Sequence, residues 1–436
     1  MPRHRKLLLG LILGSVLGLL AHAVAGGSPA LAAVLRYATE PLGKIFVRLL
    51  LLLAVPILFS ALVIGVGDLD FRQVGRIGAR TLIYAAVVST IAALIALVLV
   101  NVFRPGVGAD ALLRGQAAEG LPGMAKVPAA AAPTSAVDTL VAIVPANPIQ
   151  AAANGDLVGF IFFALLFGIG LALVKTPATE ALKTVLQGVL DVSMRLVDAV
   201  LALAPFGIAA LLFTTTARVG WEVISQLAAY VAIVVVGLAL QLFVVYGVSV
   251  RWLGGRAPLG FFRDIRLALV TAFSTASSNA TLPTALRVAD ENLRLPPQVS
   301  RFVLTAGSTM NQNGTALFEG VTILFLAQVY GVEMGLSKQA AVLGISILAG
   351  IGTAGVPAGS LPVMAAILTT LGIPAEGIGI ILGVDRFLDM CRTTVNVAGD
   401  LAAAVFVARG EEDRARASGP PSAAAMAATG SAPGSS

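Results

Sequence analysis

Thiol and imidazole groups are almost missing from this chain: Cys391 is the one cysteine, and His4 and His22 are the two histidines. A single cysteine excludes an intramolecular disulfide and a thiolate metal cluster. Two histidines, both near the start, argue against a histidine metal centre or a catalytic triad. Charge is scarce as well. Charged residues make up 12% of the 436 residues, against about 25% in ordinary soluble domains. The formal net charge of +6 could suggest nucleic acid in a soluble protein. Here the Lys and Arg residues lie between apolar runs, where they act as topology signals, so no nucleic-acid partner is expected. What is abundant is apolar surface, at 57% hydrophobic residues. Several apolar runs reach the roughly 20 residues that span a bilayer, which predicts an all-α polytopic membrane protein.

Residues 380–404 read as a spanning helix, yet they carry Asp385, Asp389, Arg392, Asn396 and Asp400. At about 100° per residue these fall on one stripe, with Thr393 beside it. Each ionisable group near the bilayer centre costs roughly 2.5–3.5 kcal/mol on insertion scales. Such a stripe must therefore face protein, water or a ligand. One reading is a structural ion-pair ladder; Asp385 in particular reads as structural, paired with Arg386, and is left out of the binding set. The other is a binding face for a zwitterion: a carboxylate meets an ammonium, and a guanidinium fork meets a carboxylate.

Residues 7–24, behind the basic 3–6, could pass for a cleavable signal peptide. A first spanning helix fits the charge alternation better. Further apolar runs cover 42–66, 81–103, 136–174, 185–216 and 224–253, and the VPANP sequence at 144–148 breaks the fourth region. Three later stretches fail as simple spans. Residues 267–286 have a polar centre at 274–281, 303–329 are interrupted at 311–315, and 340–371 are broken by GIGTAGVPAGS at 350–360. Backbone freed by such breaks survives in lipid only against protein, ligand or water. If the basic clusters are cytoplasmic, 267–286 must dip in and return on one side, and 340–371 must do so from the other. The expectation is eight transmembrane helices and two opposed re-entrant hairpins, with both termini cytoplasmic. Half-helix N-termini at the breaks suit an anion, and loop carbonyls suit a small cation. Residues 410–436 read as a disordered tail.

Four motifs then carry a resemblance: T-x-S-S-x-x-T-L-P at 275–283, N-x-x-G-T at 311–315, G-T-A-G-V-P at 352–357, and D-x-x-L-D-x-x-R-T-x-x-N-V-x-G-D at 385–400. Together with VPANP, APFGI at 204–208 and the 42–63 stretch, the chain resembles the dicarboxylate/amino acid:cation symporters, the glutamate-transporter homologues. The resemblance implies a homotrimer and an elevator mechanism. It assigns 1–253 mostly to a trimerisation scaffold made of helices 1, 2, 4 and 5. Transport-domain helices 3 (about 81–103) and 6 (about 224–253) are interspersed. Residues 258–409 form the transport-domain core. Localisation in the cell (inner) membrane follows, with lipid around the protein, no cofactor, and an acidic amino acid or dicarboxylate as substrate.

Carried over residue by residue, Asp389 resembles the carboxylate that holds the substrate ammonium, with Thr393 helping it. Arg392 resembles the fork for the side-chain carboxylate, and Thr315 is the nearby hydroxyl. Ser277, Ser278 and Asn396 address the remaining polar groups, and Val356 offers a carbonyl from the outer hairpin. Asp389 and Arg392 together imply L-aspartate or L-glutamate; a C4-dicarboxylate would need the arginine alone. Sodium-site candidates are Gly307, Asn311, Asn396 and Asp400, with a second set at Thr309, Gly350, Ile351 and Thr353. A third family site needs an aspartate where this chain has Asn313, and hydroxyls where it has Ala85 and Val88, with Ser89 kept. The usual methionine is replaced by Gln312. Glu319 occupies the position of a titrating glutamate in proton-coupled relatives, and burial in an apolar helix favours the protonated form. A satisfied structural carboxyl is the alternative for Glu319. The altered third site and Glu319 point to proton-coupled transport, with residual sodium use at Asp400, so H+ and Na+ both stand as coupling ions. An anion channel and an intramembrane aspartyl protease are rival classes. Arg392 between the carboxylates argues against the protease.

Overall fold

A computed structural model describes residues 3–67, 75–107, 144–154, 156–352 and 360–417. Among the described residues the secondary structure is helical throughout, with no strand. Five helical segments are long and apolar enough to cross a membrane: Pro29–Gly67, Arg76–Phe103, Pro177–Arg218, Ile224–Trp252 and Ala375–Glu411. The last is the most enclosed of the five.

The chain opens with α1 (Arg3–Ala25) and α2 (Pro29–Val34); a π-helical turn at Leu35–Thr39 leads into α3 (Glu40–Gly67). The long α7 (Pro177–Val219) is launched by a reciprocal cap between Thr176 and Thr179. It packs on α1 and α3, and α3 also packs on α6 (Leu157–Leu173). The α1–α7 contact is set by Gly10, Gly14 and Gly18, spaced one turn apart. A Cβ on Gly10 would lie 2.4 Å from the Pro205 carbonyl oxygen, and one on Gly14 2.5 Å from that of Ala209. Small residues in this register let two membrane helices meet backbone to backbone.

A second group forms around α16 (Ile378–Ala417). It includes α4 (Gly75–Phe103), α8 (Glu222–Ala239), α9 (Tyr246–Trp252), α12 (Pro297–Met310) and α13 (Asn313–Val329). Between VPANP and α6 lies the short α5 (Pro148–Asn154), which begins at the second proline of that motif. The first two sequence breaks fall at helix ends, and most of the third, residues 353–359, lies outside the described residues. Helix α10 (Pro258–Thr275) turns into α11 (Ser278–Glu291) through Ala276, whose φ of 50° is left-handed, and Ser277 caps α11 by accepting from the Ala280 amide at 3.2 Å. The far ends of the same two helices are tied together. The Arg256 guanidinium donates to the Leu293 carbonyl at 2.7 Å, and the Asn292 amide donates to the Asp264 carbonyl at 2.6 Å. The two helices therefore meet at both ends. Helices α14 (Leu336–Gly352) and α15 (Ser360–Thr370) flank the third break.

One boundary differs from the sequence expectation. Helix α16 continues past Gly410 to Ala417, into the stretch read as an irregular tail. Glu411 there approaches Arg80 at 3.9 Å, a contact the Ala/Ser/Gly/Pro composition does not reveal. Residues 418–436 lie outside the described residues.

Candidate functional site

The polar stripe of α16 is buried, and it meets the break between α12 and α13. Asn311 and Gln312 leave helical geometry there, with φ/ψ of −99°/59° and −92°/53°. The two half-helices can lie close to α16 because residue 314 is glycine. A Cβ at that position would sit 2.6 Å from the Arg392 carbonyl oxygen and 3.0 Å from Asn396 Oδ1. The Gly314 amide instead donates to Asn396 Oδ1 at 2.7 Å.

Asp389 and Arg392, three residues apart on one face, form a buried pair: Arg392 Nε donates to Asp389 Oδ1 at 2.9 Å, and both residues are 2% exposed. Arg392 Nη1 also donates to the Ser360 hydroxyl at 2.5 Å, and its guanidinium lies over the Phe318 ring, 4.9 Å from the centroid. Arg386 completes the group at 3.7 Å from Asp389 Oδ2. This corrects one expectation: the ion pair of Arg386 is with Asp389, not Asp385. The i,i+3 spacing brings Arg386 to Asp389, whereas adjacent residues on a helix diverge. Asp385 is buried, and its Oδ1 has no hydrogen-bond partner.

Next along the stripe, Asn396 Nδ2 donates to Gln312 Oε1 at 2.5 Å and to Thr315 Oγ1 at 3.1 Å. Thr393 is buried on the same helix. Ser278 is buried in the first turn of α11, which packs on α16. One turn further, the Asn311 side-chain amide donates to Asp400 Oδ1 at 3.0 Å, and a Cβ on Gly307 would meet that same oxygen at 2.5 Å. Gly307, Asn311 and Asp400 thus converge, and Asn311 Oδ1 is buried with no partner. A carboxyl group, an uncommitted amide oxygen and nearby backbone are together the kind of oxygen donors that suit a small hard cation. A small cavity borders this cluster, lined by Gly78, Thr81, Leu82, Ala85, Phe302 and Asn311 among others.

Of the second cation set, Gly350 is buried with its Cβ position 3.5 Å from the Gln312 carbonyl oxygen. Thr309 is half-buried, its hydroxyl donating to the Ala306 carbonyl at 3.0 Å. Ile351 lies in the last turn of α14. Thr353 and Val356 lie outside the described residues. Around Asn313, protein groups satisfy one another: Ser89 donates to Asn313 Oδ1 at 2.5 Å, and Asn313 Nδ2 donates to the Tyr246 hydroxyl at 3.2 Å. Glu319 is fully buried in α13, and neither carboxyl oxygen has a hydrogen-bond partner. A buried carboxyl without a partner is costly as an anion.

Sequence reasoning did not single out Ser360 or Phe318 as partners of Arg392. Ser360 sits at the edge of the 350–360 break, which was a signal for it; nothing in the spacing marks Phe318.

The fold and site define a multi-pass helical membrane protein with a charged, hydrogen-bonding centre buried among its helices. The chain belongs to the sodium:dicarboxylate symporter family, whose pattern it matches over residues 4–410. It is 33% identical to the proton/sodium-glutamate symport protein of Geobacillus stearothermophilus, over 92% of this chain and 93% of the relative. It is 33% identical to the proton/glutamate-aspartate symporter of Escherichia coli K12, over 94% of each. The C4-dicarboxylate transport protein of Rhodospirillum rubrum is also 33% identical, over 87% of this chain and 84% of the relative.

Proposed function

We propose that this chain is a secondary active symporter of L-aspartate and L-glutamate, coupled to protons, sodium or both. The buried Asp389–Arg392 pair at 2.9 Å carries the proposal. A charged pair of this kind is stable only with mutual or equivalent partners. An acidic amino acid supplies both: its ammonium replaces the guanidinium at Asp389, and its side-chain carboxylate replaces the aspartate at Arg392. Thr315 adds a hydroxyl near that side-chain carboxylate and Thr393 supports Asp389, while Asn396, Ser277, Ser278 and the Val356 carbonyl take the remaining polar groups. The names of the G. stearothermophilus and E. coli relatives support this substrate class.

In this reading eight helices span the inner membrane, with Arg3 and Arg409 on the cytoplasmic side. The helix pairs α10–α11 and α14–α15 dip in from opposite faces. The scaffold of α1, α3, α6 and α7 trimerises, and the group around α16 slides against it as an elevator. The packing of those two groups supports the division. Asp400, Asn311, Gly307 and Asn396 hold a sodium ion, with Thr309, Gly350, Ile351 and Thr353 as a second set. Glu319, buried without a partner, carries a proton. A second reading, C4-dicarboxylate symport, is favoured by the R. rubrum relative and would use Arg392 without the ammonium contact.

Uptake of labelled L-aspartate into proteoliposomes tests the proposal, under an inward proton or sodium gradient and with unlabelled L-glutamate or succinate as competitor. Gradient-driven accumulation blocked by L-glutamate supports it. Accumulation of succinate with none of aspartate establishes the second reading.

A further inference from the structure

Gln312 lies at the crossing of the substrate and cation groups, and neither has a use for it. It is 4% exposed. Its two neighbours are engaged elsewhere: Asn311 holds Asp400 and Asn313 holds Ser89 and Tyr246. Its own side chain makes three hydrogen bonds. Nε2 donates to the Ser308 carbonyl at 2.8 Å, while Oε1 accepts from Asn396 Nδ2 at 2.5 Å and from Thr315 Oγ1 at 3.2 Å.

The direction of this network is fixed by groups that cannot reverse. The Gly314 N–H can only donate, so Asn396 must present Oδ1 to it. That leaves Asn396 Nδ2 facing Gln312, which must answer with Oε1. Gln312 Nε2 then meets the Ser308 carbonyl, which can only accept. The Thr315 hydroxyl accepts from Asn396 and gives its one proton to Gln312. Two donors intended for a ligand oxygen are therefore gathered on a single oxygen of the protein.

We propose that Gln312 is an internal stand-in for a substrate carboxylate oxygen, a latch that competes with substrate for Asn396 and Thr315 and is released on binding. The proposal rests on the reading of Asn396 and Thr315 as substrate-binding groups. Its geometry follows from chemistry alone: an amide oxygen and a carboxylate oxygen both accept from an amide N–H and a hydroxyl. While the site is closed on itself, these buried donors are satisfied and cost nothing in desolvation. Substrate affinity is lowered by the work of opening the latch, which is a tax on the competent state. Selectivity gains, because only a ligand bringing its own strong acceptor repays the exchange.

The sign of the effect separates this role from a structural one. Gln312→Met is nearly isosteric and has no oxygen to offer. If Gln312 competes, the variant binds L-aspartate about threefold to tenfold more tightly, the worth of one net hydrogen bond. The gain falls on the association rate, because the bound state no longer uses the latch. If Gln312 merely braces the site, the same variant binds more weakly.

The measurement is calorimetric titration of the purified full-length protein with L-aspartate at fixed pH and sodium, with stopped-flow association rates alongside. Gln312→Asn, too short by one methylene to reach Asn396, is the second variant should the first fail to fold, with the same sign expected. A lower Kd with faster association and unchanged dissociation supports the latch. An unchanged or higher Kd in a folded variant overturns it. Wild-type protein that binds no acidic amino acid or dicarboxylate overturns the underlying functional reading instead, and the latch with it.

Discussion

Replacing Arg392 by glutamine perturbs the site at its most charged point. Arg392 makes a 2.9 Å contact to Asp389 and a 2.5 Å contact to Ser360, and stacks over Phe318 while 2% exposed. Glutamine keeps a polar tip but loses the charge and the fork. Asp389 is not orphaned, because Arg386 remains at 3.7 Å, so the protein should still fold. Losing one partner of a buried hydrogen-bonded charge pair costs about 2–5 kcal/mol. For the aspartate side-chain carboxylate this is a loss of affinity of about 30-fold to 4,000-fold. A neutral amino acid such as L-serine behaves oppositely. In the wild type its ammonium would take Asp389 and leave a buried guanidinium with Ser360 and the Phe318 ring but no carboxylate; the variant removes that penalty. The assay is counterflow in proteoliposomes, with L-aspartate and L-serine compared at equal protein loading. A fall in aspartate affinity below about threefold, in protein of normal gel-filtration profile, would refute the role given to Arg392.

Three further substitutions probe the surrounding groups. Asp389→Asn should weaken L-aspartate binding by at least about tenfold, the worth of a charge-assisted hydrogen bond, while succinate, which has no ammonium, loses less; competition uptake measures both. Glu319→Gln should abolish accumulation driven by a proton gradient while leaving substrate exchange, read as net uptake against counterflow, and retained proton-driven accumulation would remove Glu319 from the mechanism. Gly314→Ala places a Cβ 2.6 Å from the Arg392 carbonyl oxygen and should cost about 1–3 kcal/mol through overpacking, seen as a lowered Tm and lost binding.

Much of this arrangement was legible because a membrane makes polar residues conspicuous. Asp389, Arg392, Asn396 and Asp400 stand out in an apolar helix, and one face at 3.6-residue spacing collects them. The breaks at Ala276 and at Asn311–Gln312 were readable for the same reason, as polar or small residues in mid-run. Partner choice was less legible. Arg386 was paired with its neighbour Asp385, but the helix surface takes it to Asp389. Ser360 and Phe318 reach Arg392 from α15 and α13, contacts between distant segments that no local pattern encodes. The inward turn of Gln312 is a property of a network, decided by the one-way Gly314 amide. The extension of α16 to Ala417 reflects tertiary contact through Arg80 and Glu411, which composition cannot convey.

The account turns on the Asp389–Arg392 pair opening to accept a zwitterion, so the most direct measurement is an experimental structure with L-aspartate bound. The account predicts the substrate ammonium on Asp389 and its side-chain carboxylate on Arg392, with the Nε–Oδ1 separation of 2.9 Å widened. A ligand bound elsewhere, with that pair still closed, would contradict it.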